Sequence, residues 1–141
     1  MNVVRYCVYF ALLIVPMVTG CGDANRASLS GTVTVNGTPI ENGSISFTPL
    51  QGTTSSAAGA AIKDGVYKIP NDKGPLPGEF KVIITGTKKS GKKIKEPGTG
   101  NELDEVVSAI PAKYDPLRGG TEVLKATITT GGNKLDFDLT E

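Results

Sequence analysis

Apolar residues alternate with polar residues through most of this chain from residue 28 onward. In the first such stretch Leu29, Gly31, Val33 and Val35 share one face, and serines and threonines occupy the other. This period of two is typical of a β-strand with one buried face. It recurs at residues 44–48, 66–69, 80–85, 121–129 and 134–139. Seven or so short strands without a helical period predict an all-β chain, folded as a single antiparallel β-sandwich.

Glycine-containing turns separate these strands. Asn36-Gly37, Asn42-Gly43 and Asp64-Gly65 supply the positive φ angles that tight hairpin turns require. Residues 57–63 form a weaker strand of small side chains, which we expect at a sheet edge or beneath a bulky neighbour. Residues 130–133 (Thr-Gly-Gly-Asn) are predicted to turn the strand at 121–129 back into the strand at 134–139.

The aromatic residues of the domain divide by strand parity. Phe47, Phe80 and Phe137 fall on the apolar faces of their strands, as core residues do. Tyr67 and Tyr114 remain as candidates for exposed contacts, and Tyr114, beside a proline-containing turn, is the better one. The alternative is that Tyr114 caps the sandwich with its hydroxyl in water.

The first 20 residues have the layout of a secretory signal. Arg5 precedes an apolar run at residues 8–17, and small residues follow. The uncharged segment at residues 6–19 is shorter than the roughly 20 apolar residues that a membrane-spanning helix needs. We therefore predict a signal peptide that is removed rather than a permanent transmembrane helix.

A sequence that resembles the lipobox of bacterial lipoproteins ends this signal: Val18, Thr19, Gly20 and Cys21. The resemblance implies cleavage after Gly20 and a diacylglycerol thioether on Cys21. Ordinary signal cleavage at the same place is the alternative, since small residues precede both kinds of cleavage site. The predicted organisation is a lipoprotein signal peptide at 1–20, a short tether at 21–27 and a β-sandwich domain at 28–141.

Composition narrows the possible functions. Residues 1–20 hold one basic residue and no acid, so 14 of the 15 Lys and Arg remain beside all 14 Asp and Glu. This balance argues against a nucleic-acid partner. The chain has no histidine, the commonest general base near neutral pH and the commonest zinc ligand. A serine–lysine hydrolase is disfavoured because these residues lie in polar loops. We expect no enzyme activity, no metal and no cofactor.

Five lysines crowd into the segment at residues 87–105, which we expect to be the least structured part of the domain: Lys88, Lys89, Lys92, Lys93 and Lys95. Such a cluster can contact an anionic lipid surface, at about 1 kcal/mol per charge, or a cell-wall polymer. The alternative, which we favour, is a solvated hairpin loop whose basic half is compensated by its acidic half, because no aromatic residue lies between the lysines.

Asp136 and Asp138 lie two residues apart on the outward face of the last strand. Two carboxylates in this arrangement can contribute to a Ca²⁺ site, which needs six to eight oxygens. We favour the alternative that both face solvent and pair with a neighbouring lysine, so no metal site is predicted.

Several phrases of the sequence occur in a characteristic order: residues 31–40 (Gly-Thr-Val-Thr-Val-Asn-Gly-Thr-Pro-Ile), Asp64-Gly65-Val66-Tyr67 and residues 77–82 (Pro-Gly-Glu-Phe-Lys-Val). Together they resemble carboxypeptidase regulatory-like domains, which have a transthyretin-like sandwich fold. Residues 110–114 and 132–139, with the lipobox, are similar to the small lipoproteins of this type in planctomycete bacteria. The resemblance covers residues 29–139 and departs at the turn 116–120, which is looser. It implies a fold and an exported location, and no catalytic residues.

The sequence thus predicts a non-catalytic lipoprotein of the cell envelope. The lipid on Cys21 would hold it on a membrane, inner or outer, where it serves as a structural or binding module for an envelope polymer or protein. The alternative is a secreted, soluble β-sandwich that binds an envelope polysaccharide or peptide.

Overall fold

The structure is a computed structural model, and it describes residues 25–141. Its regular elements are ten β-strands and three short 3-10 turns. The strands are β1 (Ala27–Val35), β2 (Thr38–Pro39), β3 (Asn42–Pro49), β4 (Ala58–Lys63), β5 (Val66–Ile69), β6 (Gly78–Lys95), β7 (Glu102–Ser108), β8 (Leu124–Ile128), β9 (Gly131–Lys134) and β10 (Phe137–Leu139). The 3-10 turns are Asn71–Lys73, Ala112–Tyr114 and Pro116–Arg118. The prediction of an all-β chain is confirmed for these residues.

The strands form one curled sheet, a half-barrel, with the order β10-β1-β5-β4-β3-β6-β7. β2 and β9 also pair with β1, and β8 pairs with β6. Pairing is antiparallel except for β9 and β10, which run parallel to β1. The predicted antiparallel character is therefore confirmed for most of the sheet. β4 lies inside the strand order rather than at an edge, although it meets β5 at a single residue pair, Lys63 and Val66.

A very short connection draws the two edges of the curled sheet together. β8 lies beside β6 at one edge and β9 lies beside β1 at the other, and only Thr129 and Thr130 separate them. Two residues span about 10 Å at most. The predicted hairpin between residues 121–129 and 134–139 is wrong, because residues 131–134 pair with β1 instead of β8. The side chain of Asn133 closes the connection by accepting a hydrogen bond from the N–H of Thr129 (3.0 Å).

Alternate residues of the central strands point into the curl, as their sequence parity predicts. Phe80, Val82 and Ile84 of β6 are at most 3% exposed, whereas Ile83 is half-buried on the opposite face. The buried apolar set consists of Ala27, Leu29, Val33, Ile40, Ile45, Phe47, Ile62, Tyr67, Ile69, Phe80, Val82, Ile84, Ile110, Ile128 and Leu139. No polar or charged side chain is buried in the part of the chain that the structure describes.

Tyr67 belongs to this core, so its interpretation as a candidate for an exposed contact is wrong. It is 1% exposed, and its ring lies 6.1 Å from that of Phe47. Its hydroxyl donates a hydrogen bond to the carbonyl oxygen of Leu135 (2.8 Å). Burial, with a smaller contribution from the charge of Asp136, raises the pKa of the Tyr67 hydroxyl, which therefore remains a donor. Tyr67 thus links β5 to the segment between β9 and β10.

Candidate functional site

An open cleft of about 800 Å³ lies at one end of the curled sheet. Its size is within the roughly 300–1,000 Å³ range of ligand pockets, and the mouth of a barrel is a common place for one. Segments far apart in sequence build it. The lining comprises Val35, Asn36, Thr38, Pro39, Ile40, Glu41, Lys88, residues 108–113, Arg118 and Glu141.

Two buried isoleucines form the apolar floor of the cleft. Ile40 is 3% exposed and Ile110 is 2% exposed. Both lie against Gly86 of β6, where a Cβ atom would come within 2.8 Å of Ile40 and 3.3 Å of Ile110. The Gly86 carbonyl also accepts the N–H of Ala109 (2.9 Å), which holds the segment after β7 against β6. The floor therefore depends on a strand position with no side chain.

Three cations and two carboxylates line the same cleft. Lys88, Lys113 and Arg118 are the cations, and the carboxylates belong to Glu41 and Glu141. Within residues 25–141 none of the five takes part in a salt bridge. Arg118 donates to the Ile110 carbonyl (3.4 Å), and the Lys113 ammonium lies 5.0 Å from the centre of the Tyr114 ring. The cationic heads are thus available to an anionic group in the cleft.

Two consecutive 3-10 turns position Lys113 and Arg118. Asp115 joins the turns: its carboxylate accepts the Leu117 N–H (3.0 Å) and the Ser108 hydroxyl (3.2 Å). Its carbonyl accepts the N–H of Gly120 (2.9 Å), where a Cβ atom would lie 2.4 Å from the Ala112 carbonyl oxygen. The segment 116–120, which the sequence suggested to be a loose turn, is therefore a hydrogen-bonded turn whose residues 116–119 are exposed. The proline and the paired glycines were the signal in the sequence for this turn, and neither Lys113 nor Arg118 was predicted as a site residue.

The lysine-rich segment is a regular β-ribbon rather than the least structured part of the domain. β6 continues to Lys95 and pairs with β7 along residues 102–108. A bulge interrupts the ladder between Lys89 and Lys93, with Gly91 at φ +82°. The Ser90 hydroxyl fills the bulge and donates to the Glu105 carboxylate (2.5 Å). We call this two-stranded projection, residues 88–107, the arm.

Acidic residues on the arm compensate part of its basic charge. The Asp104 carboxylate contacts Lys89 at 2.7 Å and Lys93 at 2.8 Å. The hydrogen bonds from these two lysines lower the pKa of Asp104 to about 2, and the same contact raises the pKa of Lys89. Lys92 and Lys95 are exposed, and Lys88 lines the cleft. The five lysines thus have three different surroundings.

The cleft and the arm lie at the end of the sheet opposite to the start of the domain. Ala27 begins β1 and donates its N–H to Pro75 (2.9 Å), whereas Val35 ends β1 in the cleft. Nine residues at about 3.3 Å per residue separate the two ends by about 25 Å. β6 starts at the Ala27 end and has 18 residues, which corresponds to roughly 55 Å. The arm therefore projects away from the point where the chain enters the domain.

Asp136 and Asp138 attach the end of the chain to β1. Asp136 accepts hydrogen bonds from the N–H (2.8 Å) and the hydroxyl (2.9 Å) of Thr32, and Lys134 lies 3.5 Å away. Asp138 accepts from the Thr34 hydroxyl (2.6 Å) and the Gly37 N–H (3.0 Å). No group of three metal-ligating residues occurs in residues 25–141. These contacts indicate a structural role for both carboxylates.

We expect the hydrogen bonds of Asp136 and Asp138 to make the stability of the protein depend on pH. They lower the pKa of Asp136 and of Asp138 in the folded state. The stability that these hydrogen bonds contribute is therefore present above the pKa of the unfolded chain, and it is lost as the pH falls through the lowered pKa values of the folded state. Chemical denaturation between pH 7 and about pH 3 should give a falling free energy of unfolding. The double variant Asp136→Asn/Asp138→Asn should flatten that fall, and Asp72→Asn, on an exposed turn, should leave it unchanged. An equally steep fall in the double variant would contradict this role.

The lipobox residues 18–21 lie outside the described residues. Within residues 25–141 no helix is long and apolar enough to cross a membrane. Tyr114 is partly buried and packs against the core. Comparison with protein-family models, with curated proteins and with solved structures gives no match to this chain.

Proposed function

We propose that this protein is a non-catalytic, membrane-anchored lipoprotein of the cell envelope that presents a binding cleft away from its anchor. The observation that carries the proposal is the direction of β1, which starts at Ala27 and ends in the cleft. Cys21 precedes Ala27 by six residues, which reach about 20 Å when extended. A lipid on Cys21 would thus hold the Ala27 end near the bilayer and direct the cleft and the arm outward.

We also propose a transthyretin-like sandwich as the finer description of the fold. β4 and β5 share a single residue pair, which is a thin joint between the two halves of the curled sheet. The contact of Phe47 on β3 with Tyr67 on β5 supports two layers that pack face to face. The early turn motifs and the lipobox support membership of the carboxypeptidase regulatory-like lipoproteins.

Replacement of the anchoring cysteine tests the location. Cys21→Ala should abolish incorporation of a labelled fatty acid and move the protein from the membrane fraction to the soluble fraction. Cys7→Ala is the matched control, because Cys7 lies in the predicted signal peptide, and it should leave both measurements unchanged. Membrane retention of the Cys21→Ala variant would contradict lipid anchoring. An unlabelled wild-type protein in the medium would favour the secreted, soluble alternative.

The orientation is testable in the lipidated protein reconstituted in vesicles. Thiol-linked fluorophores on Asp72→Cys, beside the start of β1, and on Thr99→Cys, at the tip of the arm, report the two ends of the molecule. Lipids with a nitroxide on the headgroup should quench the probe at position 72 strongly and the probe at position 99 weakly. Equal quenching at both positions would contradict outward presentation of the arm.

A further inference from the structure

The charge and shape of the cleft indicate what it binds. Its floor is apolar, and three cations on its walls, Lys88, Lys113 and Arg118, make no salt bridge within residues 25–141. Ligand sites commonly combine an apolar surface with a few polar groups that fix orientation. A ligand with an apolar body and one anionic group matches this combination.

The acidic residues in the cleft restrict the anion further. The side chains of Glu41 and Glu141 face the same space as the cations, so the lining holds three basic and two acidic side chains. A multiply charged anion such as phosphate would be repelled more strongly by these two acidic side chains than a carboxylate, which brings a single negative charge. Glu41 and the hydroxyl of Thr38 can accept hydrogen bonds, which suits the N–H groups of a peptide better than a hydrocarbon chain.

We propose that the cleft binds the C-terminal end of a short peptide. The terminal carboxylate lies among Lys88, Lys113 and Arg118, and the last apolar side chain lies on the floor formed by Ile40 and Ile110. The guanidinium of Arg118 forms paired hydrogen bonds with the carboxylate, as its planar geometry favours. This inference rests on the proposed binding role and adds the class of ligand to it.

The positions of Lys88 and Arg118 support binding of the ligand carboxylate at a defined place in the cleft. Lys88 continues the inward-facing parity of Phe80, Val82, Ile84 and Gly86 along β6, one residue beyond the pairing of Thr87 with Asn42, where β3 begins. It is thus the first inward position of β6 that has a strand on one side only, where Lys88 pairs with Val107 of β7. Arg118 is tied to the Ile110 carbonyl, next to the floor. A carboxylate bound by Arg118 therefore lies close to the floor, which an apolar side chain next to it can cover.

Titration calorimetry on the lipidated, detergent-solubilised protein tests the proposal. The probe is the peptide acetyl-Ala-Ala-Val-Leu with a free carboxylate, and the comparison ligands are the same peptide as its C-terminal amide, octanoate and inorganic phosphate. The free acid should bind at least tenfold more tightly than each of the other three. Equal affinity of the amide would exclude carboxylate recognition, and tighter binding of octanoate or phosphate would exclude a peptide ligand.

Variants of the cleft locate the binding. Lys113→Gln and Arg118→Gln should each weaken binding of the free acid about tenfold, because each removes a charge-assisted hydrogen bond. Lys125→Gln, on the exposed face of β8, is the matched control and should bind as the wild type does. Lys88→Gln provides a third test that leaves the double turn intact. Wild-type affinity in all three cleft variants, or no binding of the acid up to about 1 mM, would overturn the proposal.

The two proposals fail separately. Membrane fractionation depends on Cys21, whereas peptide binding depends on the far end of the domain. A lipidated protein that fractionates with membranes and does not bind the peptide would overturn the ligand class alone. A protein that binds the peptide and is not lipidated would overturn the anchor alone.

Discussion

Replacing Gly31 with alanine is expected to lower the free energy of unfolding by about 3 kcal/mol. A Cβ atom at Gly31 would lie 1.8 Å from the carbonyl oxygen of Leu135 and 3.1 Å from the ring of Tyr67. The Leu135 backbone is held there because its N–H donates to the Ser30 carbonyl (2.8 Å) and its carbonyl accepts from Tyr67. Backbone on both sides must therefore move to admit a methyl group.

Urea denaturation of Gly31→Ala measures this loss, and Gly132→Ala is the matched control. Gly132 also lies on a strand of the same sheet edge, but the nearest heavy atom to its Cβ position is 3.7 Å away, at the Ser28 hydroxyl. The control should change the free energy of unfolding by no more than about 0.5 kcal/mol. Equal stability of Gly31→Ala and Gly132→Ala would mean that Leu135 does not pack on β1.

The parts of the fold that could be predicted are those that depend on local periodicity. Leu29 and Val33 alternate with polar residues in the sequence, and both are buried in β1. The same rule applied to β5 puts Tyr67 on the face of the buried Ile69, but only the three phenylalanines were assigned to core faces, which left Tyr67 as a candidate for an exposed contact. Its hydrogen-bond partner, Leu135, is 68 residues away and gives no local signal. The burial of Tyr67 thus agrees with local periodicity, whereas the partner of its hydroxyl could not be predicted.

The regular strand structure of the arm was not predicted because it comes from pairing across the ribbon. A run of lysines with glycine and serine has weak strand propensity and repels itself. In the structure Asp104 lies between Lys89 and Lys93, and the bulge at Gly91 makes this possible because it shifts the register. The sequence displays the opposite charges, as the hairpin alternative recognised, but it contains no local sign of the register.

The cleft could not be predicted because its cations come from two separate segments of the chain. Lys88 lies on β6, whereas Lys113 and Arg118 lie on two successive 3-10 turns. They share one cavity only because the segment after β7 folds back onto Gly86. The spacing of residues in the sequence can reveal a site that lies within one helix, strand or turn. This site instead depends on how the segment after β7 closes the end of the sheet.

Truncation of Tyr67 is expected to have the second large effect on stability. Tyr67→Ala should lower the free energy of unfolding by about 3–5 kcal/mol, because it removes a buried ring in contact with Phe47 and leaves a cavity. Tyr67→Phe keeps the ring and removes only the bond to Leu135, so it should cost about 1–2 kcal/mol. The neighbouring Val66→Ala, at a side chain that is 55% exposed, is the control and should cost about 0.5 kcal/mol or less.

The effects of Tyr67→Phe and Gly31→Ala on stability should not be additive. Both the hydrogen bond of the Tyr67 hydroxyl and the close packing of Gly31 involve the carbonyl of Leu135. In Gly31→Ala the new methyl group displaces that carbonyl from the Tyr67 hydroxyl, so the bond is already weakened. Adding Tyr67→Phe to this background should then cost about 1 kcal/mol less than it does in the wild type. Denaturation of the two single variants and the double variant measures the difference. If the two losses of stability were strictly additive, Tyr67 and Gly31 would stabilise the edge of the sheet independently. Leu135 would then not be the point at which β1, β5 and the end of the chain are joined.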